Sequence, residues 1–374
     1  MDKKRTIAII LLLALSVGAA GTTGFFIGKN GTENRYIIEQ DLNVKLNRSD
    51  LDGLGKIEGA IYVTGHKSPD SDTVGSSIAY AALLKQLGYD ARAVVLEEIN
   101  NESKYILETA KLDVPQTLED ASGLNMILVD HSEYTQSAEG LENANIISII
   151  DHHNDGAVTT GNQIIYDARP LGSTATIIWI RYRNYGLVPD KQTATVMLGA
   201  ILSDTVNLTS DATTFADKEA VKALSAIAGI KDTDAFYQQM FKERLSYKGM
   251  TEEEIFFSDY KEYETDGHKY SIGCIEVYDE DAIKKMADRI KTVVPSTLKS
   301  TGMEMAFAQI NVYHDDISIT YIVPSDESAG EVIKSAFGDK AVFDGTSYVF
   351  NPGMSRKKVL VPAITEVLKA HPKE

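Results

Sequence analysis

The residues with the clearest chemical potential lie in Gly65-His66-Lys67-Ser68-Pro69-Asp70-Ser71-Asp72, between a short apolar run and a helical pattern. One imidazole and two carboxylates in so short a turn are hard or borderline ligands that can converge on a metal pair. Gly65 lets the chain leave the preceding run tightly, and Pro69 restricts the turn. The same arrangement recurs three times. Asn125–Val129 ends in Asp130, Ile146–Ile150 ends in Asp151-His152-His153, and Thr195–Leu202 ends in Ser203-Asp204-Thr205. Charges at the mouth of an apolar core cost desolvation unless they are paired or bind metal. Repeated acidic termini on apolar segments therefore point to a metal cage.

The candidate ligands are His66, Asp70, Asp72, Asp130, His152 and Asp204. Their four negative charges match two divalent cations. A mixed nitrogen and oxygen set suits Mn²⁺ or Mg²⁺, with Co²⁺ or Zn²⁺ as alternatives. Two ions about 3.5–4 Å apart can share a water, lower its pKa and hold attacked phosphoryl oxygens. Asp130 and Asp204 are expected to bridge them, because each arises from a separate deep element. Asp151 is expected to orient His152, His131 to support the cage from outside, and His153 to face substrate. A cationic counterpart is offered by Ser355-Arg356-Lys357-Lys358, which follows the turn Asn351-Pro352-Gly353, and by Lys261, placed just before a strand. Arg grips phosphate with two parallel donors, and Lys supplies a point charge.

Positioning these groups requires strands that alternate with helices, hence a mostly parallel α/β sheet whose ligands gather beyond the carboxyl ends of its strands. Strands are predicted at 60–64, 91–96, 125–129 and 146–150, and helices at 74–87, 173–185, 191–202 and 215–227. A second region starts near residue 245. It has a strand at 269–277, a helix at 279–293, a hairpin-like pair at 305–312 and 318–323, and a last apolar run at 358–368. This reading places a metal-binding domain at 58–244, a hinge at 245–250 and a smaller substrate-binding domain at 251–374. Residues 29–57 form a tether or weak helix.

With 374 residues the chain is too long for one small core. Its net charge of -17 argues against nucleic acid as a partner. The lone Cys274 excludes an intramolecular disulfide framework and a cysteine zinc cluster. Thr6–Gly28 is an uncharged stretch of 23 residues behind Lys3-Lys4-Arg5. As a helix it would span about 34 Å. Residues 1–28 are therefore expected to be a signal anchor that meets the membrane through residues 6–28 and leaves the catalytic domains outside the cytoplasm. Secretion after signal cleavage is the alternative.

Together the motifs His66-Lys67-Ser68-Pro69-Asp70-Ser71-Asp72, Leu128-Val129-Asp130-His131, Asp151-His152-His153, Gly172-Ser173-Thr174-Ala175-Thr176, Ser203-Asp204-Thr205 and Ser355-Arg356-Lys357-Lys358 resemble one family. It is the family II, manganese-dependent inorganic pyrophosphatases of the DHH phosphoesterase superfamily, and the resemblance covers about residues 58–370. It implies a DHH-type parallel-sheet domain followed by a smaller α/β domain, with the active site in the cleft between them. It implies two Mn²⁺ or Co²⁺ ions on His66, Asp70, Asp72, Asp130, His152 and Asp204, with further Mg²⁺ arriving with substrate. His153, Lys261, Arg356 and Lys357 would bind the two phosphoryl groups. Inorganic diphosphate would be cleaved to two orthophosphates by a hydroxide held between the metals, in a homodimer formed through the first domain. Two departures stand out: Ser132 where family members commonly carry Asn, and Asn207-Leu208-Thr209-Ser210-Asp211 after Asp204. The nearest alternative is another DHH phosphoesterase or an exopolyphosphatase acting on short polyphosphate or small nucleotides. Nucleotide-cleaving relatives usually carry a Gly-Gly-Gly-His motif, which this chain lacks.

Overall fold

The computed structural model describes residues 31–51, 57–154, 156–314 and 316–373. Residues 31–50 and the described residues from Leu51 onward belong to separate units. In the first, the segment expected to be a tether or weak helix is a 19-residue helix, α1 (Gly31–Ser49).

The second unit opens with six parallel strands in the order β3-β2-β1-β4-β5-β6. They are β1 (Ile61–Thr64), β2 (Ala91–Val95), β3 (Gln116–Thr117), β4 (Asn125–Val129), β5 (Asn145–Asp151) and β6 (Ile165–Ala168). Side chains alternate between faces along a strand. On β4, Ile127 and Val129 enter one core with the helices, while Met126 and Leu128 enter another with Leu141, Ile146 and Ile149. Helices α2 (Ser71–Gln86), α3 (Asn101–Ala110), α4 (Thr174–Asn184), α5 (Lys191–Asp204), α6 (Phe215–Ala228) and α7 (Thr233–Arg244) complete this domain. The strand order reverses direction between β1 and β4. A crevice opens at such a point, beyond the carboxyl ends of the strands.

The second sheet has the order β11-β12-β10-β9-β8-β7. Its strands are β7 (Tyr260–Thr265), β8 (His268–Val277), β9 (Met305–His314), β10 (Asp316–Pro324), β11 (Val342–Phe343) and β12 (Tyr348–Phe350). The expected hairpin-like pair is β9 against β10, antiparallel, while β8 and β9 run parallel. Helices α8 (Glu252–Phe257), α9 (Glu280–Ile290), α10 (Val293–Thr301), α11 (Glu327–Phe337) and α12 (Val361–Lys369) cover it. Alternation again divides two cores: Met305 and Phe307 face one side of β9, and Ala306, Ala308 and Ile310 the other. Lys261 precedes β8 as expected, and itself lies within a further strand, β7, opposite Ile272.

The membrane expectation is withdrawn. Among the described residues no helix is long and apolar enough to cross a membrane. Residues 6–28, on which the signal anchor, the single-pass placement and the secreted alternative all rested, lie outside the described residues. An apolar stretch long enough to span a bilayer is a length argument only, and the described fold adds nothing to it.

Candidate metal centre

The first cluster is built on the β1–α2 turn. Asp70 caps α2: its Oδ1 accepts from the Thr73 amide at 2.9 Å. Its Oδ2 is left 3.5 Å from His66 Nε2. His66 Nδ1 donates to the Lys67 carbonyl at 2.7 Å, so Nε2 faces Asp70 and, at 3.5 Å, Asp130 Oδ2. A ring nitrogen tied to a carbonyl fixes which nitrogen is offered to a metal.

Asp130 follows β4 and is 1% exposed, with φ at 64°. This left-handed conformation is uncommon outside glycine and clusters at functional sites. It is fixed by the Asp130 amide donating to Ile150 O at 2.9 Å. Each carboxylate oxygen is aimed by a threonine. Thr73 Oγ1 donates to Oδ2 at 2.9 Å, and Thr174 Oγ1 donates to Oδ1 at 3.0 Å. The second cluster gathers around His152, whose Nδ1 donates to Leu171 O at 3.0 Å. His152 Nε2 is buried without a hydrogen-bond partner. It lies 3.4 Å from Asp130 Oδ1, 3.5 Å from Asp204 Oδ2 and 4.0 Å from Asp72 Oδ2. A buried nitrogen facing three carboxylates is a cation site by chemistry. Ligand atoms of His66, Asp70 and Asp130 lie within 4.8 Å of one another, and so do those of Asp72, Asp130, His152 and Asp204. Asp130 belongs to both clusters and also groups with His152 and His153. Asp204 belongs to one of the two clusters.

Asp72 sits against the start of α4. Thr174 N donates to its Oδ2 at 2.6 Å, and Ala175 N and Ser173 Oγ donate to its Oδ1 at 3.0 and 2.8 Å. A helix N-terminus favours negative charge. The remaining charges are held under tension. Burial, then Asp72, pushes Asp130 up to about 7. Burial, with Asp72 and Asp130 beside it, also pushes Asp204 well above the usual carboxylate range. For His66, burial opposes the charged ring, but Asp130 and Asp70 outweigh it and raise the pKa to about 11. The cage holds protons where divalent cations would relieve the same repulsion.

Asp151 orients His153, not His152: His153 Nδ1 and its amide each approach Asp151 Oδ1 at 3.0 Å. That hydrogen bond raises the His153 pKa to about 9. His131 is buried with both ring nitrogens engaged, by Val129 O at 2.9 Å and Ser137 Oγ at 3.0 Å. It supports the turn, as expected. Ser132 donates to Asp151 Oδ2 at 3.1 Å and accepts from Gly156 N at 2.9 Å, bracing the base of the His153 turn. In the second domain Arg356 is engaged by Asp259. Arg356 Nη2 is 2.7 and 2.9 Å from the two Asp259 oxygens, and Nη1 donates to Asp259 O at 2.7 Å. Lys261 and Lys357 are exposed and form no ion pair among the described residues. Sequence reasoning missed Thr73, Ser173 and Thr174 as holders of Asp72 and Asp130. The Gly172–Thr176 motif was the available signal.

Residues 60–201 match the DHH family, N-terminal domain, and residues 238–367 match the DHHA2 domain. A parallel sheet with two acid–imidazole clusters at its switch point, followed by this second domain, defines a metal-dependent protein of the DHH class. The chain is 37% identical over 310 residues to the manganese-dependent inorganic pyrophosphatase of Methanothrix thermoacetophila, covering 83% of this chain and 98% of that relative. The crystal structure of a Methanococcus jannaschii protein presented as a candidate family II inorganic pyrophosphatase superposes with a TM-score of 0.52 at 33% identity. It covers 82% of this chain and 99% of that one. The chain belongs to the family II, manganese-dependent inorganic pyrophosphatases.

Two further partner expectations are withdrawn: the homodimer through the first domain and the exclusion of nucleic acid. The relative's name speaks of manganese and pyrophosphate and bears on neither. A net charge of -17 is an average over a surface that still carries Arg356, Lys357 and Lys358 in one turn. It cannot exclude a local polyanion contact.

Proposed function

We propose that the chain hydrolyses inorganic diphosphate to two orthophosphates with two Mn²⁺ ions, one held by His66, Asp70 and Asp130 and the other by Asp72, Asp130, His152 and Asp204. The observation that carries this reading is the single buried carboxylate of Asp130, shared by both clusters with each oxygen separately aimed. Bound there, the ions would supply a water acidified to hydroxide and positive charge against the phosphoryl oxygens. The chain's own residues do the remaining work. His66 and His152 present Nε2 because their Nδ1 atoms are tied to carbonyls. His153, 55% exposed and held through Nδ1 by Asp151, presents its other ring nitrogen to donate to a phosphate oxygen beside the cage. Arg356, Lys261 and Lys357 bring donors from the second domain, across a hinge at 245–250, to the charge that grows on the transferred and departing phosphoryl groups. Co²⁺ as a substitute ion and Mg²⁺ arriving with substrate belong to the same proposal. The divisions at 58–244 and 251–374 do as well.

The test is to load the purified full chain with Mn²⁺ and assay diphosphate, tripolyphosphate and a dinucleotide side by side. The expected result is two ions per chain and orthophosphate released fastest from diphosphate. A fully metallated protein that leaves diphosphate intact overturns the reading. Preferential cleavage of the dinucleotide would move it to another DHH phosphoesterase.

A further inference from the structure

Outside the two clusters, one buried acid has no evident reason to be charged or polar. Glu102, in the first turn of α3, is 2% exposed. No basic side chain lies within ion-pair distance of it among the described residues. The start of α3 does not need it, because Asn100 Oδ1 already caps the Ser103 amide at 2.8 Å. Burying a carboxyl group without a directly paired cation is costly, and burial, opposed by the charge of Arg244 beyond ion-pair distance, pushes the pKa of Glu102 above the usual carboxylate range.

Its contacts give it a use. Glu102 Oε2 accepts from Ser71 Oγ at 3.2 Å and from Ser203 Oγ at 3.0 Å. Ser71 stands between Asp70 and Asp72, and Ser203 immediately precedes Asp204. One oxygen therefore ties the turn that carries two acids of the cage to the helix end that carries a third. The other oxygen, Oε1, is buried without a hydrogen-bond partner. The group cannot withdraw easily, because α3 lies hard on α5: a Cβ built on Gly199 would stand 2.8 Å from Ile106 Cδ1.

We propose that Glu102 is a positioning residue of the metal centre, one whose carboxylate oxygen sets the spacing between the Asp70–Asp72 turn and Asp204. It touches neither metal nor substrate and acts through Ser71 and Ser203. The inference rests on the dinuclear diphosphatase reading for its effect on turnover. Its effect on metal binding is measured separately.

The experiment compares Glu102→Ala, Glu102→Gln and Ser203→Ala in the full chain. Mn²⁺ affinity is measured by calorimetry, the magnetic coupling between two bound Mn²⁺ ions by electron paramagnetic resonance, and the melting temperature without metal. Glu102→Ala is expected to weaken Mn²⁺ binding about 10–100-fold, the usual cost of losing a residue that orients a ligand. It is also expected to change the coupling spectrum and leave the metal-free melting temperature close to the parent. Glu102→Gln keeps one acceptor oxygen for both hydroxyls and is expected to restore affinity and spectrum. Ser203→Ala keeps the acid but frees the Asp204 side, and is expected to shift the spectrum in the direction of Glu102→Ala. If Glu102→Ala does not fold, Ser203→Ala and Glu102→Gln decide alone. Parental affinity and spectrum in Glu102→Ala or Ser203→Ala would overturn the proposal, and so would a Glu102→Gln as defective as Glu102→Ala. None of these readouts uses diphosphate, so a parent chain that binds two ions without cleaving it would defeat the functional reading alone.

Discussion

At the scale of single residues, Asp130 carries the most. It combines a left-handed backbone, two threonine donors and membership of both clusters. Asp130→Asn keeps much of the shape but removes the charge. It is expected to abolish binding of the ion pair in calorimetry and lower turnover by more than the roughly 10–100-fold cost of disturbing a ligand's support. Retention of two ions with parental turnover would contradict its shared role. The raised pKa values set a pH dependence. In the metal-free chain Asp130, normally near 3.8, titrates at about 7, and His66, normally near 6.5, at about 11. The folded protein binds more protons than the unfolded one between those limits. The Asp130 contribution to metal-free stability is complete below 3.8 and lost as pH rises through about 7. The His66 contribution is complete below 6.5 and lost through about 11. Metal must displace these protons, so Mn²⁺ affinity should rise from pH 6 to pH 8 with net proton release, read by calorimetry in buffers of different ionisation enthalpy. Affinity that is flat or falls over this range would refute it. The six candidate ligands could be picked out because they sit at the ends of apolar runs or in the short turn that follows one. The groups that aim them were not. Thr73 and Thr174 reach Asp130 across 57 and 44 residues of sequence, and no spacing rule marks such a pair.

At the scale of elements, the cage depends on how closely α2 approaches α5, since one begins beside Asp72 and the other ends at Asp204. A Cβ on Gly75 would meet Ala200 Cβ and Val196 O, each at 2.9 Å. Gly75→Ala should therefore force the helices apart. It is expected to cost about 1–3 kcal/mol by overpacking, seen as a lower melting temperature, and to weaken Mn²⁺ binding with it. A variant as stable as the parent would show that the helices have room to spare. The elements at this interface were readable as small and apolar residues at helical spacing, and the central strands as short apolar runs. The peripheral elements were not. The segment read as a tether or weak helix is α1, whose Leu42 and Leu46 are exposed. β7 has a mixed, largely exposed face, and β3 and β11 are two residues long. For such short or solvated pieces, tertiary pairing decides the conformation and local pattern says little.

At the scale of the whole molecule, the question is how the cations of the second sheet reach a substrate held by the first. Described polar contacts tie the first domain to the segment at Lys248 and to Tyr278. Asn101 Nδ2 donates to Lys248 O at 3.2 Å, and Tyr278 Oη donates to Gln238 Oε1 at 2.9 Å. A connection of this kind leaves relative domain motion as the natural expectation. Arg356 is meanwhile preorganised by Asp259 and also approaches Ile272 O, at 3.5 Å, the residue opposite Lys261 in the β7–β8 ladder. The arginine and this lysine therefore move as one body with the second sheet. A diphosphate held at the metal centre would present phosphoryl oxygens able to draw that body inward, and closure would exclude water and strengthen every charge interaction inside. Small-angle scattering of the Mn²⁺-loaded chain should show a smaller radius of gyration with a non-hydrolysable diphosphate analogue than without it. Arg356→Ala should keep both ions and lose most of that compaction, with KM for diphosphate raised. If the analogue binds tightly while the radius of gyration stays unchanged, the cations serve the site without domain closure. If Arg356→Ala loses its metals, the division of labour between the two sheets is wrong.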